Sequence, residues 1–353
     1  MKRGYTSVEL FAGAGGLALG LEKAGLNTIL LNELDKDCVA TLKKNRPQWN
    51  ILHDDIKKID FKGINADVLT GGFPCQSFSY AGKRLGFDDI RGTLFFEFVR
   101  AVKEIKPKIF WAENVAGLIS HDNGKTLNTM LNILSSLGYN VKYKVLNAVN
   151  YSVPQKRQRI VIIGTLPGIE FEFPEQHLKI KTLREALKDV PISPGTTYSA
   201  KRKKILDLVP PGGSWINLPL DLQKEFLGKS YNSGGGKRGM ARRLSWNEPS
   251  LTLTTSPSQK QTERCHPDET RPFRIREYAR IQTFPDDWQF LGSITSQYKQ
   301  IGNAVPIKLA TVIGRAIING PCEKVKYPTS KREYVRYGAT SILKTKKTLV
   351  KQC

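Results

Sequence analysis

Paired cysteines are missing from this 353-residue chain. The five cysteines stand at 38, 75, 265, 322 and 353. No two have a C-x-x-C spacing, so neither a zinc site nor a disulfide framework is indicated, and no metal is expected. Long apolar runs are missing too. The opening Met-Lys-Arg-Gly-Tyr leads directly into a strand pattern, and no segment approaches the length of a membrane span. A soluble protein in a reducing compartment, without a leader and without a membrane partner, is expected. Internal repeats are absent. Acidic residues are scarce: 32 Asp and Glu against 55 Lys and Arg, a formal charge of +23. A metabolic enzyme rarely needs such an excess. A polyanion is the natural partner, since each neutralised phosphate releases counterions. A Lys-rich composition without functional meaning is the bland alternative. Hydrophobic content of 40% supports a real core, and the length allows one large domain plus a smaller one.

From residue 5 to 165, short apolar runs alternate with amphipathic stretches. Strands are predicted at Thr6–Leu10, Thr28–Asn32, Asp67–Thr70, Lys108–Ala112, Val141–Ala148 and Arg159–Gly164. Helices are predicted at Leu17–Ala24, Asp37–Asn45, Thr93–Ile105 and Lys125–Leu137. This βαβ repetition predicts an α/β fold with a mostly parallel sheet covered by helices. After Thr165 the pattern becomes irregular, rich in Pro and Gly, with clustered cations such as Lys201-Arg-Lys-Lys and Gly234-Gly-Gly-Lys-Arg. Ile307–Ile318 reads as an amphipathic helix stopped by Gly320-Pro321. The division expected is a catalytic and cofactor-binding domain at 1–180, completed by 291–320, and a smaller irregular domain with a hinge at 181–290. A basic tail at 321–353 has nine Lys or Arg against two Glu.

Two loops could bear chemistry. Gly71-Gly-Phe-Pro-Cys-Gln-Ser-Phe-Ser follows a short apolar run, as a strand that ends in a tight loop presenting one side chain. Pro74 fixes its own φ and biases Phe73 to extended geometry, so Cys75 is held by stiff backbone. It is either a presented nucleophile or a small core residue, as most free cysteines are. The second loop, Phe11-Ala-Gly-Ala-Gly-Gly-Leu-Ala, follows the first strand and opens a helix. Gly13, Gly15 and Ala18 fit G-x-G-x-x-G/A, and Glu33 lies twenty residues after Gly13 at the end of the second strand. That context favours an adenosine-containing cofactor without separating nicotinamide dinucleotides from S-adenosylmethionine. Asp54-Asp55, before Ile56, could accept from an adenine amino group or cap a helix.

Together these residues resemble the C5-cytosine DNA methyltransferases, in the compact bacterial form found in restriction-modification systems. The matching blocks occur in the family's order: Phe11-Ala-Gly-Ala-Gly-Gly, Asn32-Glu33, Asp55-Ile56, Gly72-Phe-Pro-Cys75-Gln-Ser, Arg91-Gly-Thr-Leu-Phe-Phe, Glu113-Asn-Val, Gln155-Lys-Arg-Gln-Arg-Ile, Arg276-Glu-Tyr-Ala-Arg-Ile-Gln-Thr-Phe-Pro-Asp and Gln300-Ile-Gly-Asn-Ala-Val-Pro. The resemblance implies a Rossmann-like methyltransferase sheet with a target-recognition domain. It makes Cys75 the nucleophile that adds to C6 of a flipped-out cytosine, a step needed because C5 alone is too weak a nucleophile. A free thiol of pKa about 8.5 is only a few per cent thiolate at neutral pH, so cationic surroundings help. Glu113 would engage N3 and the exocyclic amine, Arg159 the O2, and Arg157 would steady Cys75 and the sugar-phosphate. Arg157 and Arg159 are expected on one face of one strand. The cofactor implied is S-adenosylmethionine, held by Phe11, Gly13, Gly15, Gly16, Leu17, Glu33, Asp55, Ile56, Pro74, Leu94, Asn303 and Val305. The position after the ribose acid is often aromatic in the family. Here it is Leu34, so adenine contact on that side is expected to be aliphatic.

The resemblance also implies double-stranded DNA as partner, a monomer, a cognate restriction endonuclease, and a bacterial cytoplasmic location at the nucleoid. Target recognition is expected between residues 166 and 290. Lys237 or Arg238 would fill the space left by the flipped base, Arg242 and Arg243 would read guanine edges or hold phosphates, and Thr252 would contact backbone beside the flipped nucleotide. Cys265-His266 reads as structural. A tRNA cytosine methyltransferase is the alternative enzyme and an inactive DNA-binding regulator the alternative of another class. A nicotinamide dehydrogenase would leave Cys75, Glu113 and Arg159 unexplained. With ten residues before Phe11, no additional N-terminal DNA-binding domain is expected.

Overall fold

The computed structural model describes residues 4–73, 94–177, 179–235, 237 and 239–320. Pro74, Cys75, Arg238 and the basic tail lie outside the described residues. Seven strands form the central sheet: β1 (Thr6–Leu10), β2 (Asn27–Asn32), β3 (Ile51–Leu52), β4 (Val68–Gly71), β5 (Ile109–Val115), β6 (Asn140–Asn147) and β8 (Gln158–Thr165), in the order β3-β2-β1-β4-β5-β8-β6. The first five are mutually parallel. The mostly parallel α/β sheet read from the sequence is therefore present, with one strand reversed. β8 runs antiparallel to both β5 and β6. The connection from β6 to β8 is short, and parallel neighbours need a crossover of a dozen or more residues.

Alternation along the strands sends side chains to two cores. Val8, Leu69, Phe110, Ile160 and Ile162 meet α3 (Leu94–Ile105) and α4 (Lys125–Ser136) through Phe95, Phe98, Val102, Leu127 and Met130. Val68, Ile109, Trp111, Val161 and Ile163 meet α1 (Gly16–Ala24) and α10 (Ile307–Asn319) through Leu17, Leu21, Leu309 and Ile313. A strand buried on both faces reads as a continuous apolar run, which is why Ile160–Ile163 was legible. α2 (Lys36–Asn45) begins at Asp35, whose carboxylate accepts from the Asp37 and Cys38 N–H groups at 3.0 and 3.4 Å.

After β8 come α5 (Leu183–Leu187), α6 (Ala200–Asp207), α7 (Leu220–Leu227), α8 (Ile275–Ile281) and α9 (Ile294–Asn303). Leu183, Ala186 and Leu187 share a core with Ala12 and Ala14 of the loop after β1, with Leu31 of β2, and with Tyr278 and Ile301. A separate small cluster gathers Leu206, Val209, Leu218, Phe226, Leu227, Met240 and Ala241. Residues 294–319 are together long and apolar enough for a membrane span, contrary to the sequence reading. They are two helices, α9 and α10, separated at Ala304–Pro306, with α10 packed into the core against α1.

Candidate active site

In a doubly wound sheet, ligands bind beyond the carboxyl ends of the strands, where the strand order reverses. Here β1 lies between β2 and β4, so the crevice opens at its carboxyl end. Phe11 leaves β1 with φ 58°, unusual for a bulky residue. Gly13 follows at φ 56°, and a Cβ there would meet none of the described residues within 4 Å. Free space next to backbone that only glycine adopts readily is what a close-lying ligand needs. Glu33, at the end of β2, is fixed from three directions. Its Oε2 accepts from Gly13 N–H at 2.7 Å, and its Oε1 from Leu34 and Asp35 N–H at 2.9 and 2.7 Å. The remaining lone pairs of this half-buried carboxylate suit ribose hydroxyls. Leu34 beside it is 64% exposed.

Gly16 closes the crevice from another direction. A Cβ there would stand 2.4 Å from the Val305 carbonyl oxygen and 3.0 Å from Ala304 Cβ. The absence of a side chain lets the α9–α10 junction, with exposed Asn303 and buried Val305, rest on the loop's start. Gly15 lies at φ 79° above Leu42 and Trp49, and Leu17 is buried beneath. Asp55 caps a short 3-10 turn, Ile56–Lys58, accepting from Lys57 N–H at 3.0 Å, and Ile56 is buried. Leu94 begins α3 and packs on the first core. The residues fit an adenosine-containing donor, with one oddity. Burial and the negative charge of Glu33 raise the Glu9 carboxyl well above its usual range, while the Ala18 N–H opposes. Among the described residues Glu9 Oε2 has no hydrogen-bond partner.

The second half of the site is at the ends of β4 and β5. In the β5–β8 ladder Glu113 faces Val161 and Val115 faces Arg159, so Glu113 and Arg159 are diagonal neighbours on one face. Arg159 Nε stands 2.7 Å from Glu113 Oε1, with both side chains nearly buried at 13% and 11% exposure. The N–H is not aimed at that oxygen, and among the described residues Glu113 Oε1 has no hydrogen-bond donor. A nearly buried carboxylate, charge-paired yet left with an open acceptor, is poised for a ligand. Gly72 permits its approach: a Cβ at Gly72 would be 3.2 Å from Glu113 Oε2. Asn114, which sequence reasoning left without a role, donates from Nδ2 to the Phe73 carbonyl at 3.0 Å and is buried. It ties β5 to the last described residue before Pro74 and Cys75. Its only sequence signal was its place directly after Glu113.

Arg157 departs from expectation. It does not share a strand with Arg159, because pairing breaks between β7 (Gln155–Lys156) and β8. It is 1% exposed and donates to the carbonyls of Leu253 at 3.1 Å and Gly302 at 3.0 Å. Burial and the charge of Arg159 push its pKa down, with Glu113 opposing. The side chain braces backbone instead of facing a sugar-phosphate.

The expected DNA-reading residues separate. Arg243 is a correction: it is 4% exposed, and its donors serve the carbonyls of Val209, Leu206, His266 and Pro267 and the Thr270 hydroxyl. Five donors meet five acceptors, so nothing is left for a guanine edge. Lys237 donates to the Tyr231 carbonyl at 2.8 Å and lies over Trp215, which engages it within its own module. Arg242 is less enclosed, its side chain 21% exposed with a 4.0 Å ion pair to Glu248, while its Nε is buried without a partner among the described residues. Thr252 follows β9 (Ser250–Leu251), which pairs in parallel with β7, and its hydroxyl donates to the Lys156 carbonyl at 2.7 Å. His266 Nδ1 accepts the N–H groups of Asp268 and Glu269, which makes that fragment a turn.

A family model described as C-5 cytosine-specific DNA methylase matches residues 5–319. The Type II methyltransferase M.Eco47II of Escherichia coli is 57% identical over 329 residues, covering 89% of this chain and 79% of that protein. The Type II methyltransferase M.Sau96I of Staphylococcus aureus is 55% identical over 326 residues, covering 89% and 76%. Among solved structures, the methyltransferase EhMeth of Entamoeba histolytica has a TM-score of 0.67 at 16% identity, over 90% of this chain and 99% of that one, a likeness of fold. Glycine crevice, Glu113–Arg159 pair and these matches agree, and the chain belongs to the C-5 cytosine-specific DNA methylase family, as a DNA (cytosine-5-)-methyltransferase.

Proposed function

We propose that this enzyme modifies a cytosine flipped out of duplex DNA within a short specific sequence, as the modification partner of a restriction endonuclease. The observation that carries the reading is the nearly buried Glu113, its Oε1 charge-paired with Arg159 and its Oε2 beside Gly72, three positions before Cys75. S-adenosylmethionine, when bound, supplies the electrophilic methyl group. Phe11, Glu33, Asp55, Ile56, Leu94, Asn303 and Val305, with Pro74, would hold it. The Cys75 thiolate forms a bond to C6 of the base. Glu113 relieves charge at N3, and Arg159 holds both Glu113 and the base oxygen O2. Methylation at C5 is followed by loss of the C5 proton to water and expulsion of the Cys75 thiolate from C6. Unpairing the base costs a few kcal/mol, supplied by contacts to the duplex. Residues 181–290 carry target recognition, with Arg242, Thr252 and Arg238 as contacts, on a body formed by 1–180 and 291–320. The protein acts as a monomer at the bacterial nucleoid, with 321–353 as an added basic segment.

Duplex DNA with 5-fluorocytosine at the target tests the chemistry, because fluorine at C5 cannot leave as a cation. The wild type, given S-adenosylmethionine, is expected to form a denaturation-resistant adduct, and Cys75→Ala none. An adduct that survives Cys75→Ala, or none in the wild type on DNA that it methylates, would sink the mechanism.

A further inference from the structure

Two buried glutamines form a line of hydrogen bonds that the reaction chemistry leaves unused. Gln155 and Gln282 are both 0% exposed. Gln155 Oε1 accepts the Leu253 N–H at 2.9 Å, and its Nε2 donates to Gln282 Oε1 at 2.6 Å. Gln282 Nε2 then donates twice, to the carbonyls of Ile301 at 2.9 Å and Ala304 at 2.8 Å. The direction of this line is forced. Reversing the Gln282 amide would set its oxygen against two carbonyls and leave both without this donor. Arg157 runs alongside, from the Leu253 carbonyl to the Gly302 carbonyl. The peptide groups of one residue, Leu253, are thus bonded on both sides and wired to three carbonyls at the end of α9.

The ends of that line are what give it meaning. A helix leaves its last carbonyls without intrahelical partners, and they are commonly satisfied by the following backbone or by water. In α9 they are held by side chains from two distant segments. Asn303 lies exposed between the held residues, and Ala304–Val305 rest on Gly16. At the other end Leu253 is flanked by Thr252, which is bonded to Lys156, and by Thr254, whose carbonyl lies 2.2 Å from where a Gly302 Cβ would be. Arg264 fixes the Thr252 carbonyl from the far side through Nε and Nη2.

We infer that Gln155 and Gln282 are positioning residues that tie the cofactor wall at Asn303–Val305 to the DNA-facing segment at Thr252. Loading one end stiffens the other. The inference rests on the function proposed above, since it takes its two ends from that reading. By reciprocity, a ligand that orders the α9–α10 junction also orders Leu253 before any DNA arrives.

Hydrogen exchange on the full chain tests this with S-adenosylhomocysteine as an unreactive probe and no DNA. Binding is first measured by calorimetry. In the wild type, exchange of the Leu253 amide is expected to slow by about fivefold or more on saturation. In Gln282→Met the slowing should disappear, while peptides over Phe11–Leu17 still gain protection. Gln155→Met, which leaves the Ile301 and Ala304 contacts in place, should lose it as well. A purely structural role would speed exchange equally with and without the probe and keep the ratio, which overturns the inference. Unchanged Leu253 exchange in a wild type that binds the probe overturns it without any variant. A wild type that does not bind the probe overturns the cofactor reading instead.

Discussion

Replacing Arg243 by methionine removes five hydrogen-bond donors and a charge from the module built around Leu206, Val209 and Met240. The aliphatic part of the volume is kept, so the loss is chiefly polar. Each buried acceptor left unsatisfied costs about 1–3 kcal/mol. The sum is smaller than five such values, because the Leu206 carbonyl also accepts the Val209 N–H. Breaking a buried charged network by removing one partner costs about 3–5 kcal/mol, the expected range here. Against a total stability of about 5–15 kcal/mol, that loosens the module at physiological temperature. Arg243→Lys keeps the charge but offers three donors from one nitrogen, and should lose about 1–2 kcal/mol less. The assay pairs urea unfolding and limited proteolysis of the full chain with methylation of duplexes carrying single base changes. Early cleavage within residues 181–290 and a uniform loss of activity across duplexes are expected. A variant with unchanged unfolding that relaxes about tenfold at one base position would refute the burial argument and restore Arg243 as a base reader.

Two further perturbations follow from the crevice. Gly16→Ala places a Cβ 2.4 Å from the Val305 carbonyl, so the α9–α10 junction must shift. Overpacking of about 1–3 kcal/mol is expected, seen as about a tenfold rise in the KM for the cofactor, and an unchanged KM would refute the contact. Glu9→Gln tests the raised carboxyl. A native pKa above the unfolded value, about 4.3, means that native protein keeps a proton that unfolded chain releases. Stability of the wild type therefore falls as pH rises from about 4 through the native pKa, by up to about 1.4 kcal/mol per pH unit. The glutamine variant lacks this slope and should gain on the wild type between pH 5 and pH 8 in urea midpoints. An equal offset at both values would refute it.

Arg242 and Arg243 show where sequence reading stops. They are adjacent, identical in type and set in the same basic run. One keeps part of its side chain exposed, the other is enclosed by carbonyls from residues 206, 209, 266 and 267. Nothing local distinguishes them, because burial here is decided by partners 23 to 37 positions away. Arg157 has the same cause. Period two held for Arg159, but a side chain that seeks carbonyls at 253 and 302 lies where the ladder breaks. Strands and the glycine loop were legible because their signals are local: both faces of Ile160–Ile163 are apolar, and Gly13 needs a positive φ.

The orientation of β8 has the largest consequence of anything the sequence left open. Parallel strands gather their carboxyl ends at one edge of the sheet, and Glu113 lies there on β5. Arg159 is near the amino end of its own strand. Had β8 been parallel, that end would fall at the opposite edge, about 20 Å away for a seven-residue strand at about 3.3 Å per residue. The antiparallel ladder, Ile109 opposite Thr165 through Val115 opposite Arg159, reverses this and brings Arg159 to the same edge as Glu113. The short β6–β8 connection thus does more than close the sheet. It supplies the cation at the site, and β8 could not be turned round without parting the two groups that would grip the two sides of one pyrimidine.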